Sequence, residues 1–180
     1  MSTGPVVLFR AWRVIPGDRH LFGVYRRYAW RPREQQAECI ATSEEHPLLR
    51  RLRGEEPLPK HLAPAPEGVH RCGFGGHYTL TDVFERFSLQ GKVFGAFIAS
   101  GDMYRGTLAA RCQTVAPLAL FDDTITGYSA SDDIERRMRH EMIAAFAKHY
   151  AIPALDWPEL MADVVRFGDL LQPTTEDTDA

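Results

Sequence analysis

Residues 92–121 read KVFGAFIASGDMYRGTLAARCQTVAPLALF, and their reading decides the fold. Both halves are dense in Val, Phe, Ile, Ala and Leu, and the small polar run Ser100-Gly101-Asp102 stands between them. The segment therefore predicts two strands joined around those three residues. Upstream, VVLFRAWRV (6–14) and LFGVYRRYAW (21–30) carry the same residue types on either side of IPGDRH (15–20), whose Pro-Gly is a turn signal. They predict an antiparallel pair. REQQAECIA (33–41) extends the sheet and sets Cys39 near a strand end.

Helical patterns fill the rest. SEEHPLLRRLRG (43–54) predicts a short helix closed by Gly54. YTLTDVFERF (78–87) predicts another, with Thr79 or Thr81 as N-cap and Val83, Phe84 and Phe87 on one face. From Ser131 the period changes: Ile134, Met138, Met142, Phe146 and Tyr150 recur every four residues, and Asp132 with Glu135 fits a capping box. Ile152-Pro153 ends that helix, and a second starts at Asp156 with Leu160, Val164, Phe167 and Leu171 as its apolar stripe. The fold class expected is α+β, a small antiparallel β-sheet or partial barrel with a metal-clipped loop and a C-terminal helical pair. Residues 1–125 form the α+β domain, 126–172 a helical hairpin packed on it, and 173–180 a disordered acidic tail.

The chain of 180 residues is 44% hydrophobic and 25% charged, the makeup of an ordinary globular protein. Its longest apolar runs, VFGAFIA and VAPLALF, fall far short of a bilayer span, and the first residues lack a signal-peptide pattern. A cytoplasmic location without membrane contact is expected. Residues 1–60 carry 11 Lys/Arg against 7 Asp/Glu and residues 111–180 carry 6 against 13, so the two ends are opposite in charge. Cys39, Cys72 and Cys112 are an odd number in a chain with no export signal, which favours free thiols or metal ligands over disulfides.

The stretch KHLAPAPEGVHRCGFGG (60–76) gathers chemistry-capable side chains on a backbone too rich in Pro and Gly for regular structure. A bound ion would hold such a loop. Cys39, His61, His70 and Cys72 supply two thiolates and two imidazoles, a donor set suited to zinc, and His70 and Cys72 point to one side if that piece is extended. The plain alternative is that both thiols are buried small apolar groups and both imidazoles are loop residues in water, because the spacing matches no standard finger. His46 and His77 are spare ligands, and Cys112, within AARCQTV, reads as a core residue.

The Ala-Glu-Cys at 37–39, His61 with Ala63-Pro64, and His70-Arg71-Cys72-Gly73 resemble a set of small uncharacterised actinobacterial and phage-borne proteins. In these an Ala-x-Cys on a strand precedes His-x-Ala-Pro and Cys-x-Cys-Gly. The likeness also takes in YAWRP and the strands around VFGAFIASGDMYRG, so it spans roughly residues 22–120. Here His70 replaces the first cysteine of the pair, an exchange that retains a zinc ligand but would abolish a disulfide.

Three functions follow. The leading expectation is a non-enzymatic, zinc-stabilised module that binds another protein as an adaptor or accessory. The second is nucleic-acid binding by YRRYAWRPR (25–33), where Arg26, Arg27, Arg31 and Arg33 would meet phosphate and Trp30 a base. On a strand, however, alternation sends the arginines and the rings largely to different faces. The third is a metalloenzyme with an open zinc position and Glu67 or Asp82 as proton carrier. Enzyme signatures are missing: His140-Glu141 lacks the second histidine of a zincin helix, and no phosphate loop or nucleophile elbow is present. His140 and His149 lie nine residues apart, on opposed azimuths of one helix, and read as solvated.

Overall fold

The computed structural model describes residues 5–24, 29–37, 73–124, 133–156, 158–160 and 169–170. Strand β1 (Val6–Arg13) organises the sheet, because its side chains are apolar on both faces. Val6, Leu8 and Trp12 enter one cluster and Val7, Phe9 and Ala11 the other. A strand buried on both sides reads as a near-continuous apolar run, as VVLF does.

Along its whole length β1 pairs antiparallel with β5 (Lys92–Arg105), from Val6↔Ala99 to Arg13↔Lys92. Strand β5 in turn pairs antiparallel with β6 (Ala109–Phe121). The expected hairpin is therefore present, but its reversal lies at residues 106–108, beyond Ser100-Gly101-Asp102. Those three residues sit inside β5 at a register shift between Ser100 and Met103. Gly101 adopts φ +77, a conformation that favours glycine, and the Asp102 N–H donates to the Gln113 side chain across the strand. The turn signal marks a bulge.

β2 (Phe22–Gly23) pairs with β1 over Trp12↔Gly23 and Arg13↔Phe22, a shorter contact than residues 21–30 led one to expect. β3 (Gln35–Gln36) joins β6, and β4 (Phe74–His77) lies between β6 and β1. The pairings β1–β5, β5–β6, β6–β4 and β4–β1 make a closed circuit, completed by Phe9↔His77. β7 (Ala154–Leu155) and β8 (Asp169–Leu170) add to β6 and β1 in parallel. The fold is thus α+β with a mixed sheet, which corrects the expectation of a purely antiparallel one. Residues 154–155 follow the helix that ends at Tyr150 and enter beside a strand of the same direction, and local pattern carries no sign of that.

Helix α1 (Leu80–Arg86) starts at Thr79, which makes a complete capping box with Asp82, and buries Leu80 and Val83 on one face of the sheet together with Leu160. Helix α2 (Asp133–Tyr150) covers the opposite face with Ile143, Phe146, Ala147 and Tyr150. This differs from the expected stripe. A four-residue repeat drifts by about 40° per step against a 3.6-residue turn, so Ile134 and Tyr150 point about 160° apart. Phe146 and Tyr150 face the core, while Ile134 and Met138 are 70% and 66% exposed.

Of the expected second C-terminal helix, residues 158–160 are helical and Asp156 accepts from the Glu159 N–H at 2.9 Å, as an N-cap does. Its remainder, the helix at 43–54, the metal-clipped loop and the acidic tail lie outside the described residues.

Candidate functional site

Strand β6 ends in Phe121-Asp122-Asp123-Thr124, where an apolar strand gives way to two adjacent carboxylates. Neither is solvated: Asp122 is 2% and Asp123 0% exposed. Buried carboxylates require partners, and α2 delivers them. Arg139 donates from Nε to Asp123 Oδ1 at 2.6 Å and from Nη2 to Asp123 Oδ2, and it also reaches the Lys92 carbonyl at 3.0 Å. His140 Nδ1 lies 2.5 Å from Asp122 Oδ2, while Asp122 Oδ1 accepts from the Thr124 N–H and hydroxyl. The Asp122 N–H donates to the Leu155 carbonyl of β7, so the strand end is held on both sides.

These contacts clamp α2 at its middle, and the residues N-terminal to the clamp stand in solvent. Residues 133–138 are all exposed. The clamp leaves the His140 imidazole half in water, with its only hydrogen bond among the described residues made to Asp122. Such a pair fixes a tautomer, yet no described hydroxyl or thiol is hydrogen-bonded to the ring as a nucleophile would be. The cluster positions a helix.

A second polar hub joins the far end of α2 to the β1–β2 connection. The Tyr150 hydroxyl accepts from the Leu21 N–H at 2.8 Å and donates to the Trp30 carbonyl at 2.6 Å, and the Trp30 N–H donates to Leu21 O at 2.7 Å. Burial raises the Tyr150 phenol above its ordinary range, with the Leu21 bond acting in the other direction.

Of the sequence-derived site residues, Cys39, His61, His70, Cys72, Arg26 and Arg27 lie outside the described residues, as do His46 and Glu67. Trp30 is 1% exposed, packed edge-on against Trp12, Phe74 and Phe97, with the Arg10 guanidinium 4.9 Å above its ring. Its faces are already occupied, so it offers none to a base; Arg31 and Arg33 are exposed beside it. Arg10 donates to the Gly75 carbonyl, and desolvation pulls its guanidinium down to about 10, which leaves it charged at neutral pH. Asp82, named as a proton carrier, accepts from the Thr79 N–H and hydroxyl in the capping box. His77 lies on β4, where desolvation first and then Arg86 lower its pKa. Cys112 is buried as expected, and burial pushes its thiol up to about 12.

His140 and His149 do lie apart, but neither is a simple solvated residue. His140 is tied to Asp122, and His149 packs edge-to-face on His20 and on Tyr150. The sequence offered one signal for the clamp, two acids directly after the apolar run VAPLALF. Their partners stand 16 and 18 residues further on.

Among the described residues no group of three or more His, Cys, Asp or Glu side chains is placed to hold a metal ion, and no helix is long and apolar enough to cross a membrane. No family model, no curated protein and no solved structure matches the chain.

Proposed function

We propose that the chain is a non-enzymatic protein-binding module whose contact surface is the outer face of the N-terminal half of α2. The observation that carries this reading is the exposure of Ile134 and Met138, about 40° apart in azimuth, on a helix clamped to the sheet through Arg139 and His140. A clamped helix loses little conformational freedom on binding, so its apolar contacts are not spent on ordering. The partner is a protein with an apolar groove that takes anchors at i and i+4. Charges around the anchors nearly balance, with Asp133, Glu135 and Glu141 beside Arg136 and Arg137, so the face does not favour a polyanion such as nucleic acid.

Zinc bound by Cys39, His61, His70 and Cys72 belongs to the same proposal. It is supported by the donor set and by the seclusion of Cys112 in the core, which leaves the other two thiols for the loop. Metal analysis of the protein purified without added zinc would give about one zinc per chain, lost in Cys39→Ser and Cys72→Ser.

The docking face is tested by a photo-crosslinking side chain at position 138 in the source cells, compared with the same group at the core-flanking position Met142. A discrete protein adduct at 138 that disappears in Ile134→Glu, with melting temperature unchanged, is expected. Adducts that survive Ile134→Glu would overturn it.

A further inference from the structure

The Tyr150 hub brings together two residues that each carry a histidine as chain neighbour: Leu21 follows His20, and Tyr150 follows His149. The two imidazoles meet edge-to-face with their centroids 5.7 Å apart. The His20 Nδ1 is 2.9 Å from Asp18 Oδ1, and the same oxygen accepts from the His20 backbone N–H at 2.9 Å. Those two bonds, the backbone one first, hold the Asp18 carboxyl below its usual range. Asp18 thereby fixes the ring and leaves Nε2 as the available donor atom of His20. On the other ring, the Nε2 of His149 is buried and has no hydrogen-bond partner. A buried polar atom without a partner calls for a ligand.

From these observations the geometry points to a second divalent-metal site, in which His20 Nε2 and His149 Nε2 bind one late transition-metal ion of the zinc, copper(II) or nickel class. An ion about 2.0–2.1 Å from each nitrogen in tetrahedral geometry sets the ring centroids roughly 5 Å apart, so the two edge-to-face rings, now 5.7 Å apart, turn their Nε2 atoms toward a common point as the ion enters. Imidazole nitrogen suits these ions and not calcium or magnesium. A carboxylate behind a metal-binding histidine is the usual arrangement of its outer shell, and Asp18 stands in that position. Water completes the coordination, since His20 is half exposed. The site is independent of the Cys39–Cys72 set: it joins the β1–β2 connection to the end of α2, segments 129 residues apart at the Leu21–Tyr150 bond. Bound metal would add a second link to the one made by the Tyr150 hydroxyl.

The test is a zinc titration of the untagged full chain followed by nitrogen NMR of the histidine side chains, which reads each ring separately from any other zinc site. Nε2 of His20 and of His149 should shift together with one apparent affinity. His20→Phe should abolish the shift of the His149 ring, and His149→Phe that of His20. Phenylalanine retains the edge-to-face packing, and unchanged melting of the metal-free variants would show that the fold survives. Asp18→Asn should weaken the apparent affinity about tenfold or more while leaving both rings responsive. A ring that does not shift at a large excess of zinc, or a His149 response unchanged in His20→Phe, overturns the site.

Discussion

One oxygen atom, the hydroxyl of Tyr150, serves both the N–H of Leu21 and the carbonyl of Trp30, and so ties the last residue of α2 to two points of the N-terminal segment. Tyr150→Phe retains the ring and removes both bonds, which leaves a buried donor and a buried acceptor without their partner. The cost should be about 1–3 kcal/mol in denaturant unfolding. An unchanged midpoint would mean that water replaces the hydroxyl at no loss.

Arg139→Met should cost more. The substitution preserves the aliphatic packing but strips the guanidinium from a carboxylate that has no exposure to solvent. Breaking a buried pair from one side typically costs about 3–5 kcal/mol. A loss below about 1 kcal/mol in urea unfolding would show that Asp123 takes up a proton or reaches water without difficulty.

The two ends of α2 should respond in opposite ways to truncation. Phe146→Ala removes a buried ring from the main cluster and should cost about 3–5 kcal/mol, whereas Ile134→Ala should stay within about 0.5 kcal/mol. Equal melting shifts for the two variants would contradict the assignment of the core-facing side.

Stability should begin to decline in alkali through Cys112. Burial raises the Cys112 thiol from an ordinary value of 9.0 to about 12. Below pH 9 both states hold the proton, so pH has no effect through this group. Above it the unfolded chain releases the proton while the folded chain retains it, and the fold loses up to about 1.4 kcal/mol per pH unit until the folded value is reached. Above pH 10 Tyr78 and Tyr150, both raised by burial, act in the same direction, and Arg10, lowered to about 10, acts in the opposite one because its folded form releases the proton first. Cys112→Ala should flatten the decline between pH 9 and 10; an unaltered slope would assign it to other groups.

What could be read without coordinates was whatever local chemistry decides. The β1 and β5–β6 segments announce themselves by composition, and the Thr79–Asp82 box by two side chains that bond within one turn. The four-residue stripe misled because its drift of about 40° per step accumulates unseen in a list of apolar positions. Ser100-Gly101-Asp102 misled because a glycine at positive φ serves a bulge as well as a turn, and only Gln113 on the facing strand distinguishes them. Acidic residues after a strand ordinarily signal a solvated turn. That Asp122 and Asp123 are buried depends on where α2 lands, and that His20 reaches His149 depends on the whole circuit of strands in between.

That circuit also bears on how the chain behaves in a crowded solution. β1, β5, β6 and β4 occupy one another's hydrogen-bonding edges in turn, and the stretches left over on β1 and β6 are covered by the two-residue strands β2, β3, β7 and β8. Among the described residues, the longest strands therefore present no extended open edge on which another molecule could template a further strand. Through these described strands, aggregation by edge-to-edge pairing is disfavoured from the native state, and so is recognition by strand addition.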